Sequence, residues 1–222
     1  MMKKFILILS VLAISLLSAQ DPVAVITKIK GDIEIKRAEK NVECVAGTVL
    51  FNQDEISSSD NSYAALKFTD GGGLLKIFPN SHLTVKAERA GKELKKNSYL
   101  SRGNVFAKVK KRVGSFQIET PTTVASVKGT QFLVMVEENG ETAVMTFEGL
   151  VEMLNPDGTG SEVGADQTGM ADGSGEIVVK EFTEEDVPEN ILEEINEYAE
   201  KKEIRFKVEK DGTEKEVIIE LN

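Results

Sequence analysis

One cysteine, one histidine and no tryptophan occur among the 222 residues of this chain, and each shortage removes a class of chemistry. With Cys44 alone, no disulfide can close within the chain, so stability has to come from packing. Cys44 and His82 together cannot supply the nitrogen and sulfur ligands of a zinc site. Three tyrosines and no tryptophan leave little from which to build the aromatic platforms on which sugar rings pack, which argues against a glycosidase despite many carboxylates. Positive charge is also short: 27 Lys and Arg stand against 37 Asp and Glu, a formal charge of −10. Affinity driven by nucleic-acid phosphates needs a basic surface, so nucleic acid is excluded as a partner.

What is present begins with MMKKFILILSVLAISLLSAQ. Lys3 and Lys4 precede an apolar run from Phe5 to Leu17 that is short for a membrane span, which needs roughly 20 residues. The pattern predicts a signal peptide over residues 1–19, cleaved after Ala19, with a retained N-terminal anchor as the alternative. Cleavage removes two lysines and no acid, taking −10 to −12, and leaves no stable membrane span. The expected location is periplasmic or secreted. Cys44 lies far from the cleavage point, so it is not the acylated cysteine of a lipoprotein. The remaining chain suits one domain of moderate size with a small extension.

From Val23 to Val179 the chain reads as short apolar or alternating segments, such as VAVITKI, AALKF, LLKIF, FLVMV and AVMTF, separated by turn residues. That spacing predicts an all-β domain over residues 20–182. VFAKV at 105–109 alternates and reads as half exposed, whereas Phe132 to Val136 is apolar on both faces and reads as a central strand. Pro121 is expected at a strand start and Gly129 at a bend between two strands. Residues 183–222 form an extension of a different kind. Asp186 and Glu189 have capping-box spacing, and Pro188 suits a helix start. Ile191, Leu192, Ile195, Tyr198 and Ala199 then make one apolar stripe. A β-hairpin turning at Asp211-Gly212 closes the chain.

No segment carries a catalytic constellation, so no enzyme, metal or cofactor is expected. Cys44 in VECV reads as a small buried hydrophobe, and His82 after Pro79-Asn80-Ser81 as a turn-exposed imidazole. Asp70-Gly71-Gly72-Gly73 leads into a strand rather than a helix, which makes it a hairpin turn and not a phosphate loop. The oxygen-rich stretch Asn155 to Glu162 lacks the spacing of a calcium loop and reads as a plain turn. Lys108, Lys110, Lys111 and Arg112 form the one basic cluster, ordinarily a solvated strand end. As a binding patch it suits an acidic protein or an anionic envelope polymer.

Thr120-Pro121, Val124-Ala125 and Val127-Lys128-Gly129-Thr130, followed by an apolar strand, resemble the central signature of the FecR domain family. Asp70-Gly71 with the following strand and Pro79-Asn80-Ser81, Phe147-Glu148-Gly149-Leu150-Val151, and Gly164 to Gln167 resemble further elements in the same order. The resemblance implies a solenoid-like stack of short strands, with a β-sandwich as the alternative, that works by binding other proteins. The best known members sense an outer-membrane transporter and act on a sigma factor through a cytoplasmic segment. No such segment is visible here, so the resemblance implies a stand-alone exported member. Its expected partner is an envelope or outer-membrane protein in signalling or scaffolding, with cell-wall or surface polysaccharide as the alternative. Asp70, Gly71, Thr120, Pro121, Gly129, Thr130 and Gly149 are expected to be architectural, and Lys128 joins the basic cluster as a residue able to face a partner.

Overall fold

The structure, a computed structural model, describes residues 21–91, 93–111, 114–200, 203–210 and 213–220, and for those from 197 onward the backbone alone. The predicted signal peptide, Arg112 and the Asp211-Gly212 turn lie outside the described residues. The chain opens with β1 (Ala24–Lys30), β2 (Ile33–Arg37), β3 (Lys40–Val42) and β4 (Val49–Leu50). There follow β5 (Asp54–Ser58), β6 (Tyr63–Phe68), β7 (Gly73–Ile77), β8 (His82–Val85), β9 (Ala87–Ala90) and the 17-residue β10 (Glu93–Val109). The second half contains β11 (Phe116–Glu119), β12 (Val124–Val127), β13 (Gln131–Val136), β14 (Thr142–Glu148), β15 (Leu150–Leu154), β16 (Gly160–Gly164), β17 (Gln167–Ala171) and β18 (Ile177–Glu181). A 3-10 turn at Glu184–Asp186, helix α1 (Glu189–Glu200) and the hairpin β19 (Glu203–Lys210) and β20 (Thr213–Glu220) complete it.

The fold is nearly all-β, as the spacing predicts, and its sheet curls into two layers without closing into a barrel. The front layer sets β1, β6, β7, the end of β10, β13, β14, β17 and β18 side by side. In the back layer the order is β3, β2, β5, β8, the first part of β10, β11, β12, β15 and β16. Hairpins β11–β12, β13–β14, β15–β16 and β17–β18 go to the back, front, back and front in turn. Both layers therefore lengthen in the same direction, which gives the stack its solenoid-like growth and its sandwich-like section.

β10 joins the layers. Up to Arg102 it pairs with β8 in the back, and from Gly103 it pairs with β13 in the front. Gly103 makes the change of direction at φ +88, a left-handed conformation in which a Cβ would be strained. After β10 the chain returns to the back, so β11 runs parallel to the strand it has just left, with Lys96 opposite Phe116.

The main core lies between the layers. Ile26, Leu66, Leu75, Val105, Phe132 and Val144 from the front meet Ile56, Leu83, Leu100, Phe116, Ile118 and Val151 from the back, all fully or nearly fully buried. Each such side chain contributes about 1.5–3 kcal/mol of burial free energy. Phe68, Phe116 and Phe132 run through this core edge-to-face, with ring centroids 5.8 and 6.3 Å apart.

A second core covers the outside of the front layer. Phe182, Val187 and Ile191, from the end of the β-body and the start of α1, pack on Tyr63, Leu74, Phe106, Leu133 and Met145. This corrects the reading of residues 105–109 as half exposed: Phe106 faces outward from the interlayer core yet is 1% exposed, because the helix segment covers it. Phe132 to Val136 is covered on both faces as expected, with Leu133 turned to the second core. The capping spacing of Asp186 is used differently from the expectation. Its carboxylate accepts a 2.8 Å hydrogen bond from the backbone N–H of Thr183, so it caps the 3-10 turn rather than α1. In the terminal hairpin the register sets Ile204 opposite Ile219 and Phe206 opposite Val217.

Candidate functional site

The residues singled out by sequence gather along the two long borders of the stack, where strands turn from one to the next. On one border lie four turns in contact. Asp70 Oδ1 accepts from Gly72 N at 2.9 Å, and Gly72 O in turn accepts from Lys110 N at 3.0 Å. Val109 N donates to Thr130 O at 2.9 Å, and Thr130 Oγ1 donates to Leu150 O at 3.0 Å. Gly129 and Gly149 have φ of +90 and +88. A Cβ on Gly149 would sit 2.8 Å from Gly129 O, and one on Gly129 would overlap the Lys111 side chain. The Lys-Gly-Thr and Glu-Gly segments, twenty residues apart, thus dock on each other through backbone that tolerates no added carbon.

Beneath this border lies a charge pair that sequence reasoning missed. Lys96 is 1% exposed, and its Nζ lies 2.5 Å from Asp70 Oδ2 while donating to Leu94 O at 2.9 Å. Asp70 therefore both caps its own hairpin turn and neutralises a lysine buried between the layers. The signal available was the alternation of Leu94, Lys96, Ser98 and Leu100, which places the lysine on the core face.

Thr120 and Pro121 belong to the opposite border. Pro121 is exposed in the corner between β11 and β12 rather than at a strand start, and Thr120 N pairs with Thr123 O at 2.9 Å across that corner. Thr142 Oγ1 from the front layer donates to Thr120 Oγ1 at 2.9 Å and lies 2.9 Å from Thr122 Oγ1. The hydroxyls thereby tie the back hairpin to the front one.

Of the basic cluster, Lys110, Lys111 and Lys128 are exposed, and the contact of Gly129 with Lys111 brings all three onto one ridge. Lys108 is half-buried and engaged in interactions of its own. Glu148, the last residue of β14, is held by the Gln131 amide.

The other candidates remain apart. His82, half-buried in β8 rather than exposed in a turn, has Nδ1 2.8 Å from Ser57 Oγ. Cys44 is half-buried against the main core, and burial pushes its thiol pKa upward, away from the reactive thiolate. Of the stretch Asn155 to Glu162, only the part up to Thr159 is a turn, since β16 begins at Gly160; there Asp157 Oδ1 accepts from Thr159 N at 2.9 Å and Thr159 Oγ1 at 2.6 Å, which hold its carboxyl below the usual range. Among the described residues no group of three or more His, Cys, Asp or Glu is placed to hold a metal ion. No described helix is long and apolar enough to cross a membrane.

Compared with known proteins, the chain matches the model of the FecR protein family over residues 54–152. That span runs from the start of β5 into β15 and includes both borders. Two crystal structures of a "putative anti-sigma factor" from Parabacteroides distasonis ATCC 8503 are similar in structure at 20% sequence identity, with TM-scores of 0.49 and 0.47. Each match covers 57% of this chain and 59% of the other. No curated protein matches the chain.

Proposed function

We propose that this chain, whose residues 54–152 are a FecR domain, is a non-enzymatic extracytoplasmic module that binds another protein in envelope signalling or scaffolding. The FecR match is the observation that carries the reading, since that family is one of regulators. The geometry supports it in a specific way. Asp70, Thr120, Thr130, Gly129 and Gly149 are occupied in holding turns together, while Lys110, Lys111 and Lys128 join that framework through their backbone or the base of the side chain and are exposed beyond it. The apolar N-terminal run after Lys3 and Lys4 supports export. The partner surface is the lysine ridge, and it fits an acidic face on a protein of the envelope.

Photo-cross-linking amino acids placed at Lys110 and Lys128 in living cells, with Glu88 on β9 as a control position, test this. A protein captured reproducibly from the ridge and not from the control is the expected result, and capture of none from either ridge position overturns the reading. The clustering of three exposed lysines also favours a second reading, an anionic wall or surface polysaccharide. Retention on purified wall polymer that is lost in Lys110→Glu supports that reading, and no retention removes it.

A further inference from the structure

β18 is the last strand of the front layer, and among the described residues it pairs with β17 alone. Its outer border therefore presents unpaired backbone groups, the condition under which another strand is added. After Glu181 the chain leaves this border: Phe182 turns back over the outer face and packs against Phe147, ring centroids 5.4 Å apart. Val178, the second residue of the strand, is 47% exposed.

The register shows what β18 carries to its border. Met135 is opposite Ala143, Ala143 opposite Met170, and Met170 opposite Val178. These four side chains form one apolar row across β13, β14, β17 and β18 on the outer face, beside the part covered by α1. They line a groove of about 350 Å³. Among the described residues the row stops at Val178 without a neighbour on the far side. Its rim is acidic, with Glu137, Glu141, Asp172 and Glu176.

We infer that the occupant of this border is a second copy of the same chain, its β18 running antiparallel with Val178 opposite Val178 to form a two-fold dimer. The sequence Glu176-Ile177-Val178-Val179-Lys180 is complementary to its own reverse. With Val178 on the axis, Glu176 of each copy meets Lys180 of the other, and Ile177 meets Val179. Side chains alternate along a strand, so Glu176, Val178 and Lys180 share the outer face while Ile177 and Val179 face the core, where both already pack in part. Within these five residues every cross-strand pair in this register is apolar with apolar or acid with base. A two-fold interface requires such self-complementarity. Each Lys180 is delivered to the end of the partner's acidic rim, and the two apolar rows fuse into one that spans both copies. This inference does not depend on which partner the lysine ridge binds.

Sedimentation equilibrium of the purified protein over a concentration series tests it. A monomer–dimer equilibrium is expected for the natural sequence. Glu176→Lys and Lys180→Glu each turn two attractive pairs into like-charge pairs and weaken association roughly tenfold. The double variant Glu176→Lys/Lys180→Glu restores it, which a merely structural role for either residue does not predict. In a Cys44→Ser background, Val178→Cys cross-links to itself under mild oxidation, whereas Lys67→Cys, exposed on β6, does not. A protein that stays monomeric at every concentration, a double variant no tighter than the single ones, or equal cross-linking at positions 178 and 67 overturns the inference. So does capture of a different protein at position 178 by a chain that remains monomeric.

Discussion

Replacing Gly103 with alanine tests the central construction of the fold, the passage of β10 from one layer to the other. At φ +88 an L-residue costs about 1–2 kcal/mol in backbone strain. Space adds to this, because the new Cβ would lie 2.4 Å from the Cα of Ser81. Ser81 is 1% exposed and cannot simply swing aside: its Oγ accepts from Asn104 N at 2.8 Å, and its backbone N donates to Ser58 Oγ at 3.0 Å. Relieving the overlap moves backbone in a packed region, at about 1–3 kcal/mol, and loosens a hydrogen bond worth about 1 kcal/mol, for a total of roughly 3–6 kcal/mol. Gly71 is the control, with φ +70 and nothing within 4 Å of a built Cβ, so alanine there meets the backbone cost alone. Equilibrium urea unfolding is the assay. It should show Gly103→Ala losing at least twice the free energy that Gly71→Ala loses, with little change in the denaturant slope. Equal losses would mean that conformation alone matters and that the close approach of Ser81 to β10 is not a constraint.

Three other perturbations test other parts of the structure. Lys96→Met strands the Asp70 carboxylate under the border and should cost about 3–5 kcal/mol in urea unfolding, whereas Lys96→Met with Asp70→Leu removes both charges and should recover much of that loss. Glu119 feels burial that raises its pKa, but the Lys86 ammonium 2.8 Å away and the Asn97 amide at 2.6 Å outweigh it and hold the carboxyl below its ordinary 4.5. A depressed folded-state pKa contributes stability above the unfolded value and loses it as pH falls through the folded one, so the advantage of the natural protein over Glu119→Gln should be constant above about pH 5.5 and shrink below 4.5. Ile191→Ala empties a site that is 1% exposed, at about 2–5 kcal/mol for the helix contact, and amide exchange should accelerate over residues 182–195 while the strands of the main core keep their protection.

The strands that declare themselves in sequence are those whose burial is local and apolar. Phe132 to Val136, Leu74 to Phe78 and Ala143 to Phe147 are read correctly because both faces, or one face throughout, carry hydrophobic side chains. The first half of β10 is hidden because one of its inward positions is a lysine, acceptable there only through an aspartate 26 residues away. β5 is hidden for a similar reason: Asp54, buried and bridged by Arg37 at 2.7 Å, interrupts its alternation. Phe106 shares the lysine face of its strand in sequence, and what covers it comes from Val187 and Ile191, some 80 residues later. Long-range compensation of this kind leaves no periodic trace. The glycine corners are legible for the opposite reason, since positive φ and close approach are demands that one residue type meets by itself.

That difference also separates architecture from interaction. Gly129, Thr130 and Gly149 are specified by contacts with one another, and a partner that bound them would have to break the corner that positions the neighbouring strands. The exposed ends of the ridge lysine side chains and the open border of β18 carry no such duty. Lys110, Lys111 and Lys128 are exposed in turns tied together by the bonds from Lys110 N to Gly72 O and from Val109 N to Thr130 O, and Val178 sits on a strand whose inner face is anchored through Ile177 and Val179. Both surfaces can change chemistry without disturbing the core, and they differ in kind, one a cationic ridge of side chains and the other a row of backbone groups beside an apolar groove. A domain built in this way can keep its corners while its contacts vary. Substitutions at the corners should therefore show in unfolding, and substitutions at Lys110 or Val178 in binding or association with stability little changed.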